Sequence, residues 1–172
     1  LLRAGHEVTA ADDLRNASRE SLRRVEKLAG NRIIFHQLNV CDEAGLDRVF
    51  AEHPIDCVIH FAGLKAVGES VEKPLDYYQN NLMSTLALCR VMLRRRVSRL
   101  IFSSSATVYA PGSPMPVEED AALGCTNPYG WTKFMGEQIL RDITNASPGF
   151  SCVSSITSKK YPEEIFQKKL LT

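Results

Sequence analysis

The sequence predicts a doubly wound α/β fold built on a parallel sheet. Two observations carry that prediction. Short β-type segments alternate with helical ones along the chain, and the β segments are nearly continuous in apolar residues, as in Cys57-Val58-Ile59-His60-Phe61. Strands of that kind need helices on both faces of the sheet. In such folds ligands lie beyond the carboxyl ends of the strands, so the segment after each strand is where chemistry belongs.

Leu1-Leu2-Arg3-Ala4-Gly5-His6 reads as the last turn of a helix, stopped by glycine. Val8 to Ala11 is a short buried strand ending at Asp12-Asp13. Ser18 to Leu28 carries Leu22, Val25 and Leu28 at helical spacing and closes at Gly30. Further strands are expected at Arg32 to Leu38, Cys57 to Phe61 and Arg99 to Phe102, with helices near Glu43 to Glu52 and Asp76 to Arg95 between them. A last helix runs from Tyr129 to Asn145. From Phe150 to Thr172 weak strand character gives way to a polar, lysine-rich tail. Met83, Leu86, Leu88, Val91, Met92 and Leu93 are packing residues of a buried helix.

A chain of 172 residues fits one domain with a real apolar core. With 44% hydrophobic and 24% charged residues and a net charge of +1, it has no general attraction to nucleic acid or anionic lipid, and no membrane association is expected. The run Arg94-Arg95-Arg96 with Arg99 is read as a basic helix end that answers the helix dipole. Five scattered cysteines form no C-x-x-C pair and none sits at metal-ligand spacing from a histidine. They read as reduced thiols of a cytoplasmic protein, and no metal is expected.

Asp12 ends the strand whose terminal carboxylate can accept hydrogen bonds from ribose hydroxyls, which would favour NAD over NADP; a turn or capping aspartate is the plain alternative. After the next apolar strand, Ala62 and Gly63 let a flat ring or ribose lie against the backbone, and Lys65 can reach a hydroxyl or phosphate oxygen. His60 is read as a satisfied core histidine. Ser103-Ser104-Ser105 places three hydroxyls at a strand end, and Asn127-Pro128-Tyr129-Gly130-Trp131-Thr132-Lys133 starts a helix carrying Tyr129 and Lys133 at i and i+4, on one face. An ammonium near a phenol favours the phenolate, the form a general base requires.

The runs His60 to Ser70, Pro74-Leu75-Asp76-Tyr77-Tyr78, Asn80-Asn81, Ile101 to Tyr109 and Asn127 to Lys133 together resemble the UDP-galactose 4-epimerases of the extended short-chain dehydrogenase/reductase family, from Leu1 to about Gly149. The resemblance implies a Rossmann-like sheet, incomplete at both ends. Residues 1–149 would be a partial NAD-binding domain and 150–172 a divergent tail, without the glycine-rich phosphate loop before Asp12 and without the substrate domain. It implies Ser105, Tyr129 and Lys133 as catalytic residues. Cofactor contacts would fall at Asp12, Asn16, Asn39, Val40, Phe61, Ala62, Gly63, Lys65, Asn81, Ser103, Tyr129 and Lys133. Asn39-Val40 stands where the family brackets adenine with an acidic and an apolar residue. The implied activity is interconversion of UDP-galactose and UDP-glucose with NAD as cofactor, a UDP-hexose as substrate and a homodimer as assembly. Two other readings stay open: a nucleotide-sugar dehydratase or reductase of the same superfamily, and a non-catalytic remnant.

Overall fold

The structure, a computed structural model, describes residues 1–114, 116–155 and 170–171. A short turn of 3₁₀ helix at Leu2–Ala4 ends at Gly5 with φ 85°, the left-handed stop that the sequence predicts. The chain then alternates as expected. Strand β1 is Val8–Asp12, helix α1 Arg19–Ala29, β2 Ile34–Gln37, α2 Glu43–Glu52 and β3 Cys57–His60. Then come α3 Val67–Glu72, α4 Pro74–Arg94, β4 Arg99–Ser103, α5 Pro128–Ala146 and β5 Ser151–Ser155, and Leu170–Leu171 forms β6.

The six strands lie in the order β2-β1-β6-β3-β4-β5, and every pair is parallel. β6 pairs with β1 on one side and β3 on the other, so β1 and β3 are joined through it. Apart from that pair and Phe150 to Ser155, the expected tail lies outside the described residues.

Helices α1, α2 and α5 begin where a side chain satisfies a free N–H group. Ser18 accepts from the Glu20 amide, Asp42 from Gly45, and Asn127 from Gly130 at 2.8 Å. α4 and α5 both carry proline in the first turn, where its missing N–H costs nothing. The sequence reading started α4 two residues late, at Asp76, and gave no helix where α3 stands. Leu46, Val49, Val58, Leu88, Val91, Met92, Leu100 and Leu140 form the core between sheet and helices, each at most 2% exposed. α1 keeps its predicted apolar spacing but presents it outward: Val25 is 45% and Leu28 70% exposed.

The basic run closes α4, as the helix-end reading expects, but two of its arginines are ion-paired with acids of α2 rather than simply solvated. Arg94 and Arg95 bond to Asp47, and Arg94 also reaches Glu43, on α2. All five cysteines are free. Among the described residues no helix is long and apolar enough to cross a membrane.

One glycine controls how α5 enters the site. A Cβ on Gly130 would lie 2.7 Å from the Thr107 backbone oxygen. Because the obstacle is main chain, Gly130→Ala is expected to destabilise the fold by about 2–3 kcal/mol, read as a lowered urea midpoint at an unchanged m-value. A shift below about 0.5 kcal/mol would mean that the helix start is free to move.

Candidate functional site

The carboxyl ends of β1, β2 and β3 border a cavity of about 300 Å³. Asp12, Asn16, Asn39, Val40, Phe61, Ala62, Gly63 and Lys65 all line it, so eight of the predicted positions meet there. Arg15, Leu64, Asn80 and Ser84 line it as well, and sequence reasoning singled out none of them for a site role. Asp12 Oδ1 accepts from the Leu14 amide at 2.7 Å, which turns the chain sharply after β1; Leu14 takes a positive φ of 60°. Asn39 Oδ1 accepts from the Cys41 amide at 2.8 Å, which orients the side chain after β2. Phe61, 52% exposed at the end of β3, offers an open ring face at the cavity wall.

Asn81 is placed differently. Its Oδ1 accepts from the Leu64 amide at 2.8 Å, and its Nδ2 donates to the Leu64 carbonyl at 2.9 Å and to Thr132 Oγ1 at 3.0 Å. It is 6% exposed and does not line the cavity. One step along α4 turns the side chain by about 100°, which puts Asn80 on the cavity and Asn81 inside. Gly63 packs against that amide: with φ 152°, a Cβ there would meet Asn81 Oδ1 at 3.1 Å.

Ser103, Ser105, Tyr129 and Lys133 form a second group, beyond β4, and do not line this cavity. Lys133 is 6% exposed, donates from Nζ to the Ser103 carbonyl at 2.8 Å, and lies 4.9 Å from the Phe102 ring centre and 5.9 Å from that of Tyr129. Burial pushes its ammonium down to about 8. The face shared by Tyr129 and Lys133 is therefore real, but the ammonium is anchored on the strand end. Among the described residues, nothing hydrogen-bonds the Tyr129 hydroxyl. Ser105 Oγ accepts from the Thr107 amide at 3.2 Å and from Thr107 Oγ1 at 3.0 Å, capping the short turn Ala106–Val108 and keeping its own hydrogen to give. Among the described residues, Ser104 Oγ is buried without a partner.

His60 behaves as a core residue. It is buried and shares a hydrogen bond of 3.1 Å with Thr85 Oγ1, and burial together with the Lys133 charge pushes its imidazole down to about 3. It stays neutral beside the lysine.

The model of the NAD dependent epimerase/dehydratase family matches residues 1–171. The chain belongs to that family. The match runs past Gly149, to which the sequence-level resemblance extended. Within the family, the chain is 50% identical over 151 residues to the UDP-glucose 4-epimerase of Bacillus subtilis, covering 88% of this chain and 44% of that protein. To the Dictyostelium discoideum UDP-glucose 4-epimerase it is 46% identical over 153 residues, 89% and 44% of the two chains. Among solved family structures, the Bifidobacterium longum UDP-glucose 4-epimerase, in complex with NAD+ and UDP, superposes with a TM-score of 0.87 at 50% identity over 90% of this chain and 46% of that one. The chain thus spans somewhat less than half the length of the curated relatives it matches.

Proposed function

We propose that the chain is the cofactor-binding part of a UDP-hexose 4-epimerase that interconverts UDP-galactose and UDP-glucose with NAD, and that residues 1–149 carry the cofactor contacts. The observation that carries the reading is Lys133, buried on the strand-end carbonyl of Ser103 with the Tyr129 ring one helical turn before it and the Ser105 hydroxyl on the neighbouring turn. Similarity to UDP-glucose 4-epimerases, one of them solved with NAD+ and UDP, supports it.

The residues present fit a dinucleotide. Asp12 offers a carboxylate for the ribose hydroxyls, Asn16, Asn39 and Val40 an edge for adenine, and Phe61, Ala62 and Gly63 a flat wall. Lys65 supplies a cation for phosphate or hydroxyl oxygens. At the other end Ser103, Tyr129 and Lys133 would meet the nicotinamide half, and the unpartnered Ser104 hydroxyl is a further donor there. Asn81 serves this site by holding Leu64, without touching the cofactor. NAD, when bound, supplies a reversible hydride acceptor.

The chain's own residues then handle the proton. Tyr129 as phenolate takes it from the sugar 4-hydroxyl and returns it after the sugar has turned over. Lys133 places a positive charge beside that phenol. Ser105, held by Thr107 with its hydrogen uncommitted, donates to the reacting oxygen and fixes the distance across which the proton moves. A dehydratase would need an added acid/base pair after Ser105, where Ala106-Thr107 stands and the Thr107 hydroxyl is already spent on Ser105. The same reading includes a cytoplasmic location and a homodimer through α4 and α5, whose Met83, Leu93, Trp131 and Met135 are exposed.

Titration of the purified chain with NAD and NADP, followed by calorimetry, tests the reading. NAD is expected to bind more tightly than NADP, and Asp12→Asn to weaken NAD by about 10–100-fold while narrowing the preference. A chain that binds neither cofactor, or an Asp12→Asn variant that binds NAD as the parent does, would overturn it.

A further inference from the structure

Outside both groups, at the sheet edge, β2 and the end of α2 bring two histidines together. His36 Nε2 and His53 Nε2 are 2.9 Å apart, their rings meet edge to face with centres 5.0 Å apart, and both side chains are half-buried. Glu52 stands beside them, and the three ligand atoms lie within 4.8 Å of one another. Among the described residues no other trio of metal-capable side chains is grouped so closely.

We propose that His36, His53 and Glu52 bind one zinc ion, with water as the fourth ligand. Two imidazoles and a carboxylate are the donor set that borderline divalent cations take, and three protein ligands with one open position is a common zinc arrangement. Zinc–nitrogen bonds of about 2.0–2.1 Å at a tetrahedral angle set the two nitrogens about 3.3 Å apart, so the rings need to part by only a few tenths of an ångström. Without metal, one ring of the pair donates its Nε2 proton to the other, and on binding that proton moves to Nδ1 of its own ring so that both Nε2 lone pairs face the ion. His53 is also the C-cap of α2, where the helix dipole favours a cation. The bound ion would tie the edge strand β2 to α2. Sequence spacing conceals the site, because His36 and His53 lie 17 residues apart. The expectation of no metal rested on cysteine and histidine spacing along the chain, which such a pairing escapes.

Cobalt titration of the intact chain, with zinc as competitor, is the test. One cobalt per chain is expected, with the visible bands of a tetrahedral nitrogen–oxygen site, displaced by zinc and accompanied by a rise in melting temperature. His36→Asn and His53→Asn should each weaken zinc by at least about tenfold, and Glu52→Gln, on an exposed side chain, should weaken it without disturbing the metal-free melting curve. The histidine variants' metal-free melting curves show separately whether they fold. Absence of binding, thiolate charge-transfer bands that assign the metal to cysteine, or affinity unchanged in Glu52→Gln and in either folded histidine variant would each overturn the proposal. None of these readouts depends on NAD or on epimerase activity.

Discussion

Under the proposed 4-epimerase reading, replacing Tyr129 with phenylalanine is expected to slow the interconversion of UDP-galactose and UDP-glucose by about 10²–10⁴-fold while moving the melting temperature by no more than about 2 °C. The separation follows from the geometry. The phenol hydroxyl has no hydrogen-bond partner among the described residues, so folding loses nothing when it is removed, whereas the ring, which packs near the Lys133 ammonium, is kept. Cofactor affinity should change by less than the rate. A coupled assay for UDP-glucose measures the first quantity and thermal unfolding the second. An unchanged rate would remove Tyr129 from the chemistry, and a large loss of melting temperature would show that its hydroxyl is structural.

Under the same proposed reading, Lys133→Met should remove activity, and it should strengthen the fold at once. Burial holds the ammonium near 8, against its usual 10.5. At about 1.36 kcal/mol per unit, burying that charge costs the folded state about 3 kcal/mol. The hydrogen bond to the Ser103 carbonyl and the contact with the Phe102 ring return about 1–2 kcal/mol of it. The variant should therefore gain about 1–2 kcal/mol at neutral pH, or about 2–8 °C in melting temperature. The pH dependence carries the signature. Below about pH 8 folded and unfolded chains both hold the proton, and the full cost is present. Between about 8 and 10.5 the unfolded chain binds more protons, so the parent's stability climbs with pH. Above that range the cost is gone. Denaturant melts from pH 7 to 10.5 should show this slope in the parent and lack it in the variant. Equal slopes would mean that the ammonium is solvated in the folded chain.

Much of this architecture was legible because its signals are local. Apolar runs such as Cys57-Val58-Ile59 make buried strands, and the helices expected from Ser18, near Glu43 and from Tyr129 start within a residue or two of those positions. Eight candidate positions converge on one cavity because strand-end residues of a parallel sheet share one edge. What local pattern could not show depends on long-range packing. Leu170–Leu171 is a two-residue apolar island whose place between β1 and β3 is set by partners more than 100 residues away on both sides. The division between Asn80 and Asn81 depends on the angular setting of α4 against Leu64, which spacing alone leaves open. Lys133 could be assigned to the Tyr129 face from the i, i+4 rule, yet its bond to the Ser103 carbonyl is visible only once β4 and α5 are packed together.

The Asn81 side chain has a mechanical consequence. One carboxamide grips the loop after β3 at Leu64 and, through Thr132, the backbone of α5 at Tyr129, whose carbonyl accepts from the Thr132 hydroxyl at 2.7 Å. Strain introduced at either end of this rivet is felt at the other. A molecule that lifts the loop by a fraction of an ångström also shifts the seat of the phenol, so under the proposed function the fit of a ligand in the cavity and the alignment of Tyr129 are tuned jointly rather than one at a time.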